Sequence, residues 1–362
     1  MKTSQNHLFG LYVHWPYCLS KCPYCGFSSR VCPHPNETSL MCGYSRDLET
    51  SRSIIQENKP VTSIYFGGGT PSLMSPDFLT TLIHKIKELF NISPSAEITL
   101  EANPDAIDLN KMKIFHDIGI NRLSVGVQSL NPADLSFLGR KHTVQAALTI
   151  LNEAKHIFPT VNMDLIYARP NQTLSDWQSE LEQALNINLP HYSLYQLSID
   201  EGSAFHKQGI QEISDEMGRT FYELTDKIMA THKCPAYEVS NYAKKGFEGR
   251  HNMTYWTGGD YIGIGPAAAG RIGLTATENP SDVQKWLKNG MTKIELSETE
   301  RFEEKVLTGL RLRNTPFSTS DLSEIGIQKA VKKGWVIRNG NTITPTLEGT
   351  LMLNTLVLTL LE

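Results

Sequence analysis

The sequence predicts an α/β fold, an open, partial barrel of six strand-helix units, followed by a small C-terminal winged-helix-like α+β module. Three features lead to this. Apolar, β-branched runs alternate with segments of helical period through residue 205. The residues suited to chemistry fall at the C-terminal ends of those runs, where α/β folds bind their ligands. Residues 291–362 then change to a helix, helix, hairpin, helix pattern.

The strand candidates are Leu8 to His14, Val61 to Phe66, Glu97 to Glu101, Arg122 to Val127, Val161 to Ile166 and Tyr192 to Leu197. After Ser75, an N-cap residue followed by Pro76, the positions Phe78, Leu79, Leu82, Ile83, Ile86 and Leu89 recur at threes and fours, which describes a core-facing helix. Thr143 caps a second helix carrying Val144, Ala147, Leu148, Leu151 and Ile157, and a third, from Leu109 to Ile118, ends at Gly119. Right-handed crossovers through such helices make a parallel sheet.

Residues 206–290 are read as a region completing the barrel, with a helix over Met217 to Ala230 and a dense aromatic stretch from Ala236 to Trp256. In the tail, Glu298 to Leu312 and Ser320 to Lys333 read as helices. Trp335 to Thr344 reads as a hairpin turning at Asn339-Gly340, and Leu347 to Leu361 as a last helix.

Composition narrows the function classes. With 34 basic and 38 acidic residues in 362 the net charge is −4, so no electrostatic footprint for nucleic acid or for a membrane surface is present. The start from Met1 to His7 is too polar for a signal peptide, and six cysteines, three of them clustered, do not make a secreted disulfide framework. A reducing, cytoplasmic location is expected. Cys32, Cys42 and Cys234 read as small buried or loop residues.

Cys18, Cys22 and Cys25 form C-x3-C-x2-C directly after the first strand. Three thiolates on one short loop suit a metal site with one coordination position left open, and no second Cys/His pair follows to complete a zinc module. An iron-sulfur cubane is therefore favoured over zinc. Gly67-Gly68-Gly69-Thr70-Pro71 follows the second strand, where backbone amides turned inward would cradle a carboxylate or phosphate. Glu101 ends the third strand with a carboxylate suited to ribose hydroxyls or a cationic amine. Gln128, Arg140 and Asp164 stand at the successive strand ends.

These residues resemble the radical S-adenosylmethionine (SAM) superfamily. The motifs Tyr12-x-His14-x-Pro16-x-Cys18, Gly67 to Pro71, Glu101-x-Asn103-Pro104, Val127-Gln128 and Gly139-Arg140 are similar to its HemN/HemW branch. The resemblance implies that Cys18, Cys22 and Cys25 hold three irons of a 4Fe-4S cluster whose fourth iron is chelated by SAM. It implies that Tyr12, Gly68 and Glu101 contact that SAM, and that Gly69, Thr70, Gln128, Arg140 and Asp164 match positions contacting a second one.

Two features separate the members of the branch. The oxidase type, which converts coproporphyrinogen III to protoporphyrinogen IX by radical SAM chemistry, carries a fourth cysteine where this chain has Phe27. The chaperone type, which delivers haem to respiratory enzymes, carries an H-N-x-x-Y-W motif matched by His251 to Trp256. A neutral imidazole beside aromatics suits haem, so His251 is the candidate haem residue. The partners implied are haem, haem-accepting apo-proteins, with membrane contact only through such acceptors, and an electron donor for the cluster. This chain departs from the branch at Ala269, where a histidine is usual, at Arg169, placed near the ligand end, and at Gly26 in place of an aspartate.

Overall fold

The computed structural model describes residues 8–55 and 58–362; the polar start read at Met1 to His7 lies outside them. The six expected strands are present as β1 (Phe9–Trp15), β2 (Val61–Gly68), β3 (Ile92–Ala102), β4 (Arg122–Gln128), β5 (Thr160–Tyr167) and β6 (His191–Gln196). Each pairs in parallel with the next. Helices α1 (Glu37–Ile54), α2 (Pro76–Leu89), α3 (Leu109–Ile118), α4 (Val144–Ile157) and α5 (Leu174–Asn186) connect them. Strands buried on both faces need apolar residues at nearly every position, which is why β1, β2 and β4 were legible as continuous runs. Ser75 and Thr143 cap α2 and α4 by accepting the amide protons of Phe78 and Ala146. Gly119 ends α3 at φ 118°, a backbone state that disfavours any side chain.

The sheet is wider than six strands. Residues 241–295 add β7 (Asn241–Ala243), β8 (Asp260–Ile264), β9 (Ala269–Ile272), β10 (Thr275–Glu278) and β11 (Thr292–Glu295). The order is β11-β10-β9-β8-β1-β2-β3-β4-β5-β6-β7, with no pairing between the two edges among the described residues, so the barrel stays open. β8 extends the parallel set on the far side of β1, whereas β7 and β9 to β11 are antiparallel. Sequence reading missed these strands because they are short and, apart from the three-residue β7, partly solvated. All four residues of β11 are exposed and carry no apolar alternation.

Asp47 of α1 locks this extension to the barrel. Its carboxylate is buried and accepts from the Gly265 amide at 3.0 Å, Asn279 Nδ2 at 2.8 Å and Trp286 Nε1 at 2.8 Å. Asp47→Ala leaves three buried donors without an acceptor. It should lower stability by about 3 kcal/mol in equilibrium denaturant unfolding, since each stranded donor costs on the order of 1–3 kcal/mol.

Helices α6 (Asp215–Thr231), α7 (Arg250–Trp256) and α8 (Val283–Asn289) complete the main body. The tail has its own core of Val306, Leu310, Ile327, Val336, Ile343, Leu356 and Leu360. It comprises α9 (Glu298–Gly309), α10 (Glu324–Lys332), a hairpin of β12 (Val336–Asn339) and β13 (Thr342–Pro345), α11 (Leu347–Leu351) and α12 (Leu353–Leu361). Two readings are corrected here. Asn339 pairs with Thr342, so the hairpin turns at Gly340-Asn341, with Gly340 at φ 57°. The last helix is broken at Met352, whose ψ of 24° departs from helical geometry. Among the described residues no helix is long and apolar enough to cross a membrane.

Candidate cluster and ligand site

One cavity of about 400 Å³ opens at the C-terminal ends of β1 to β6. Cys18, Cys22, Cys25, Gly68, Gly69, Thr70, Glu101, Gln128, Arg140 and Asp164 all line it. Residues drawn from more than 140 positions of sequence thus converge because parallel strands deliver every C-terminal end to one side of the sheet. Tyr12 and His251 are not among the lining residues; both lie deeper in the barrel.

The cysteine loop is closed at its base by a short parallel pairing of Tyr17-Cys18 with Arg30-Val31. Lys21 Nζ donates to the carbonyls of Phe27 at 3.1 Å and Ser29 at 3.3 Å, gathering the loop on itself. The Phe205 amide donates to the Pro23 carbonyl, and the Tyr24 and Phe205 rings lie 6.4 Å apart, which docks the loop on the segment after β6. The three thiols are half-buried and free of disulfides. Burial pushes the Cys25 thiol up.

The donor set fits an iron-sulfur cluster: three free thiols on one loop line a single cavity, and each iron of such a cluster takes one cysteine sulfur.

The glycine loop departs from expectation. The Gly69 and Thr70 amides donate to the carbonyls of Trp15 at 2.7 Å and Tyr17 at 2.8 Å, so they bind the cysteine strand rather than forming an open anion cradle. A Cβ at Gly69 would stand 2.5 Å from the Tyr17 carbonyl oxygen, so the glycine is needed for this approach. Thr70 Oγ1 accepts from Asn103 Nδ2 at 3.0 Å, and Asn103 Oδ1 accepts from Arg140 Nη2 at 2.7 Å. Arg140 also donates to the Gly126 carbonyl at 2.8 Å and to Cys22 Sγ at 3.5 Å. Asn103, quoted in the motif without a role, is the joint between the glycine loop and the arginine. Gln128 sits at φ 72° where β4 bulges against β5.

Three carboxylates line the cavity, Glu101, Asp164 and Asp200, and burial raises the first two. Burial pushes Glu101 up to about 7, opposed by the hydrogen bond from Tyr65 and reinforced by Asp164. Burial raises Asp164 to about 6, against hydrogen bonds from Ser193, Asn162 and Ser124. Near neutrality both are poised between acceptor and donor.

Arg169 is not at the ligand. Its guanidinium is buried and pairs with Glu180 at 2.5 Å and Asp134 at 3.0 Å, outside the cavity wall. At Gly26, a Cβ would collide with the Asp200 carboxylate, so Asp200 from the loop after β6 occupies the space a side chain there would take. Asp200, Tyr195 and Gln196 line the cavity and were missed; only their place at a strand end could have signalled them. His251, in α7, is 2 % exposed. Its Nδ1 bonds Ser63 Oγ at 3.0 Å and its Nε2 bonds Tyr255 Oη at 2.7 Å. Burial drops its pKa to about 3, so the ring is neutral. Neither nitrogen has a lone pair free for iron while those two bonds stand.

Residues 12–184 match the model of the radical SAM superfamily. The chain is 36% identical over 322 residues to the mitochondrial radical S-adenosyl methionine domain-containing protein 1 of Danio rerio, covering 83% of this chain and 72% of that protein. It belongs to the radical SAM superfamily, in its HemW/HemN-like branch. The heme chaperone HemW of Buchnera aphidicola (Acyrthosiphon pisum strain) is 31% identical over 369 residues, 96% of either chain. HemW of Escherichia coli is 35% identical over 267 residues, 72% of this chain and 70% of that one. The radical SAM coproporphyrinogen III oxidase HemN of Escherichia coli shares the fold, with a TM-score of 0.84 at 21% identity over 98% of this chain and 90% of that one. Membership in the radical SAM superfamily carries with it a 4Fe-4S cluster and SAM as cofactors.

Proposed function

We propose that this protein is a haem chaperone, binding haem and passing it to haem-dependent respiratory apo-proteins, in the cytoplasm. The observation that carries the reading is the similarity to HemW over 96% of the chain, at 31% identity. Phe27 supports it. The fourth cysteine of the oxidase type is replaced by a side chain 69% exposed at the cavity rim, so no thiol stands there.

Cys18, Cys22 and Cys25 hold the cluster, and Gly68, Gly69, Thr70, Glu101, Gln128, Arg140 and Asp164 line the space for SAM, with Tyr12 beneath it. Bound together, cluster and SAM supply one-electron chemistry given a cellular electron donor. The protein's own part is to hold three thiolates apart, to place Arg140 against Cys22, and to present two carboxylates whose protons move near neutral pH. His251 becomes available to haem iron only after it leaves Ser63 or Tyr255.

The test is titration of the anaerobically reconstituted protein with haem. Stoichiometric binding followed by transfer to an apo-cytochrome is expected, and failure of either rejects the chaperone reading. The shared cysteine set favours a second reading, oxygen-independent coproporphyrinogen III oxidase. Accumulation of protoporphyrinogen IX from coproporphyrinogen III, SAM and a reductant would establish it instead. Release of 5'-deoxyadenosine without porphyrin turnover would indicate a different radical SAM substrate.

A further inference from the structure

We propose that Tyr65 is a positioning residue for Glu101, and that the His251–Tyr255 pair holds Tyr65 in place from inside the barrel. The inference rests on the reading of Glu101 as a SAM-binding carboxylate. Tyr65 Oη donates to Glu101 Oε1 at 2.7 Å. Its ring stacks on His251 with centroids 5.1 Å apart and planes 23° from parallel. Tyr12 flanks both rings, 6.3 Å from Tyr65 and 6.2 Å from His251. His251 is held by Ser63 and Tyr255, and Tyr255 meets Tyr261 edge-on at 4.5 Å.

Room for this column is built into the strands. A Cβ at Gly67 would stand 2.9 Å from the Tyr65 ring and 3.0 Å from that of Tyr12, and one at Gly10 would stand 3.2 Å from His251 Cε1. The far end is anchored as well. Glu97, near the start of the buried part of β3, accepts from the Arg250 amide at 2.9 Å, at the N-terminus of α7 where a carboxylate is favoured. The H-N-x-x-Y-W segment therefore plugs the barrel opposite the cysteine loop and reaches the cavity through one ring and one hydroxyl.

The hydroxyl matters because Glu101 is buried. The groups facing it are Tyr12 of β1, Tyr65 of β2, Asp164 of β5 and Tyr195 of β6. Burial and Asp164 favour its protonated form, while Tyr65, whose own pKa is driven well above 10.0 by burial, stays a donor and favours the carboxylate. An anionic Glu101 accepts from SAM hydroxyls or its amino group; a protonated one offers a weaker site.

SAM binding to the reconstituted holoprotein, measured calorimetrically across a pH series spanning about 7, tests this. Wild-type affinity should fall as pH drops through that midpoint. Tyr65→Phe should raise the Kd roughly tenfold near neutrality, the worth of one hydrogen bond to a charged group, and move the midpoint upward. His251→Ala should shift both in the same direction by less. A wild-type Kd and midpoint in Tyr65→Phe overturn the proposal, as does a Kd raised equally at every pH. Should Tyr65→Phe fail to take up cluster, infrared titration of the Glu101 carboxyl in cluster-free protein replaces binding, and an unmoved midpoint overturns the proposal. Absence of SAM binding by the wild type rejects the SAM reading and this inference together, while the haem titration judges the chaperone role separately.

Discussion

Replacement of Cys22 by Ala is expected to abolish the brown iron-sulfur absorbance of the reconstituted protein and to leave almost no bound iron. The three thiols are the cysteine side chains that line the cavity, and Cys32 and Cys42 are not part of its wall. With one removed, the cluster keeps two protein ligands on a loop tied down by Lys21, Pro23 and the Tyr17-Cys18 pairing. That loop cannot easily remodel to bring a substitute. Cys22 is also the thiol that receives the Arg140 Nη1 hydrogen bond, so the same change removes that contact while Nη2 stays bound to Asn103 and the Gly126 carbonyl. Cys42→Ala, at an exposed position of α1, is the control and should bind iron as the wild type does. Retention of a full iron complement in Cys22→Ala would refute the assignment.

The second large effect is on stability. Glu180 of α5 accepts from Arg169 Nη2 and Ser129 Oγ, each at 2.5 Å, and from the Leu130 amide at 2.7 Å. Glu180→Ala leaves the Arg169 guanidinium buried with only the half-exposed side of Asp134 to pair with. Breaking one partner of a buried pair costs about 3–5 kcal/mol, because the remaining charge stays buried and is under-compensated, here by Asp134 alone. The loss should appear as a lowered denaturant midpoint at unchanged m-value. The double variant Arg169→Leu with Glu180→Gln should be destabilised by less than the sum of its single changes, since it removes the stranded charge. SAM binding should survive in that variant, as Arg169 stands outside the cavity wall.

How far the sequence could be read differs by residue. The strands β1 to β6 and the caps Ser75, Thr143 and Gly119 were visible because each obeys a local rule: a doubly buried strand is apolar, and a helix end needs a side-chain acceptor or a left-handed residue. The margin strands β9 to β11 were not visible, since their pairing is set by neighbours far along the chain and their faces are partly solvated. At the site, the spacing of the cysteines and the strand-end positions of Glu101, Gln128 and Asp164 pointed to one cavity. Arg169 was misplaced because its position in the chain is at a strand end while its side chain turns to Glu180, a partner offered by α5.

Returning to residues 251 to 256, local chemistry showed a neutral imidazole among aromatics and could go no further. Motif spacing suffices to specify a superfamily, because cluster ligation needs three thiolates on one loop and nothing distant. Which groups touch which carboxylate depends on strand register and on the depth of each side chain in the barrel. Only the folded chain sets Tyr65 between His251 and Glu101, because the three lie on α7, β2 and β3 and meet through burial that no single segment encodes.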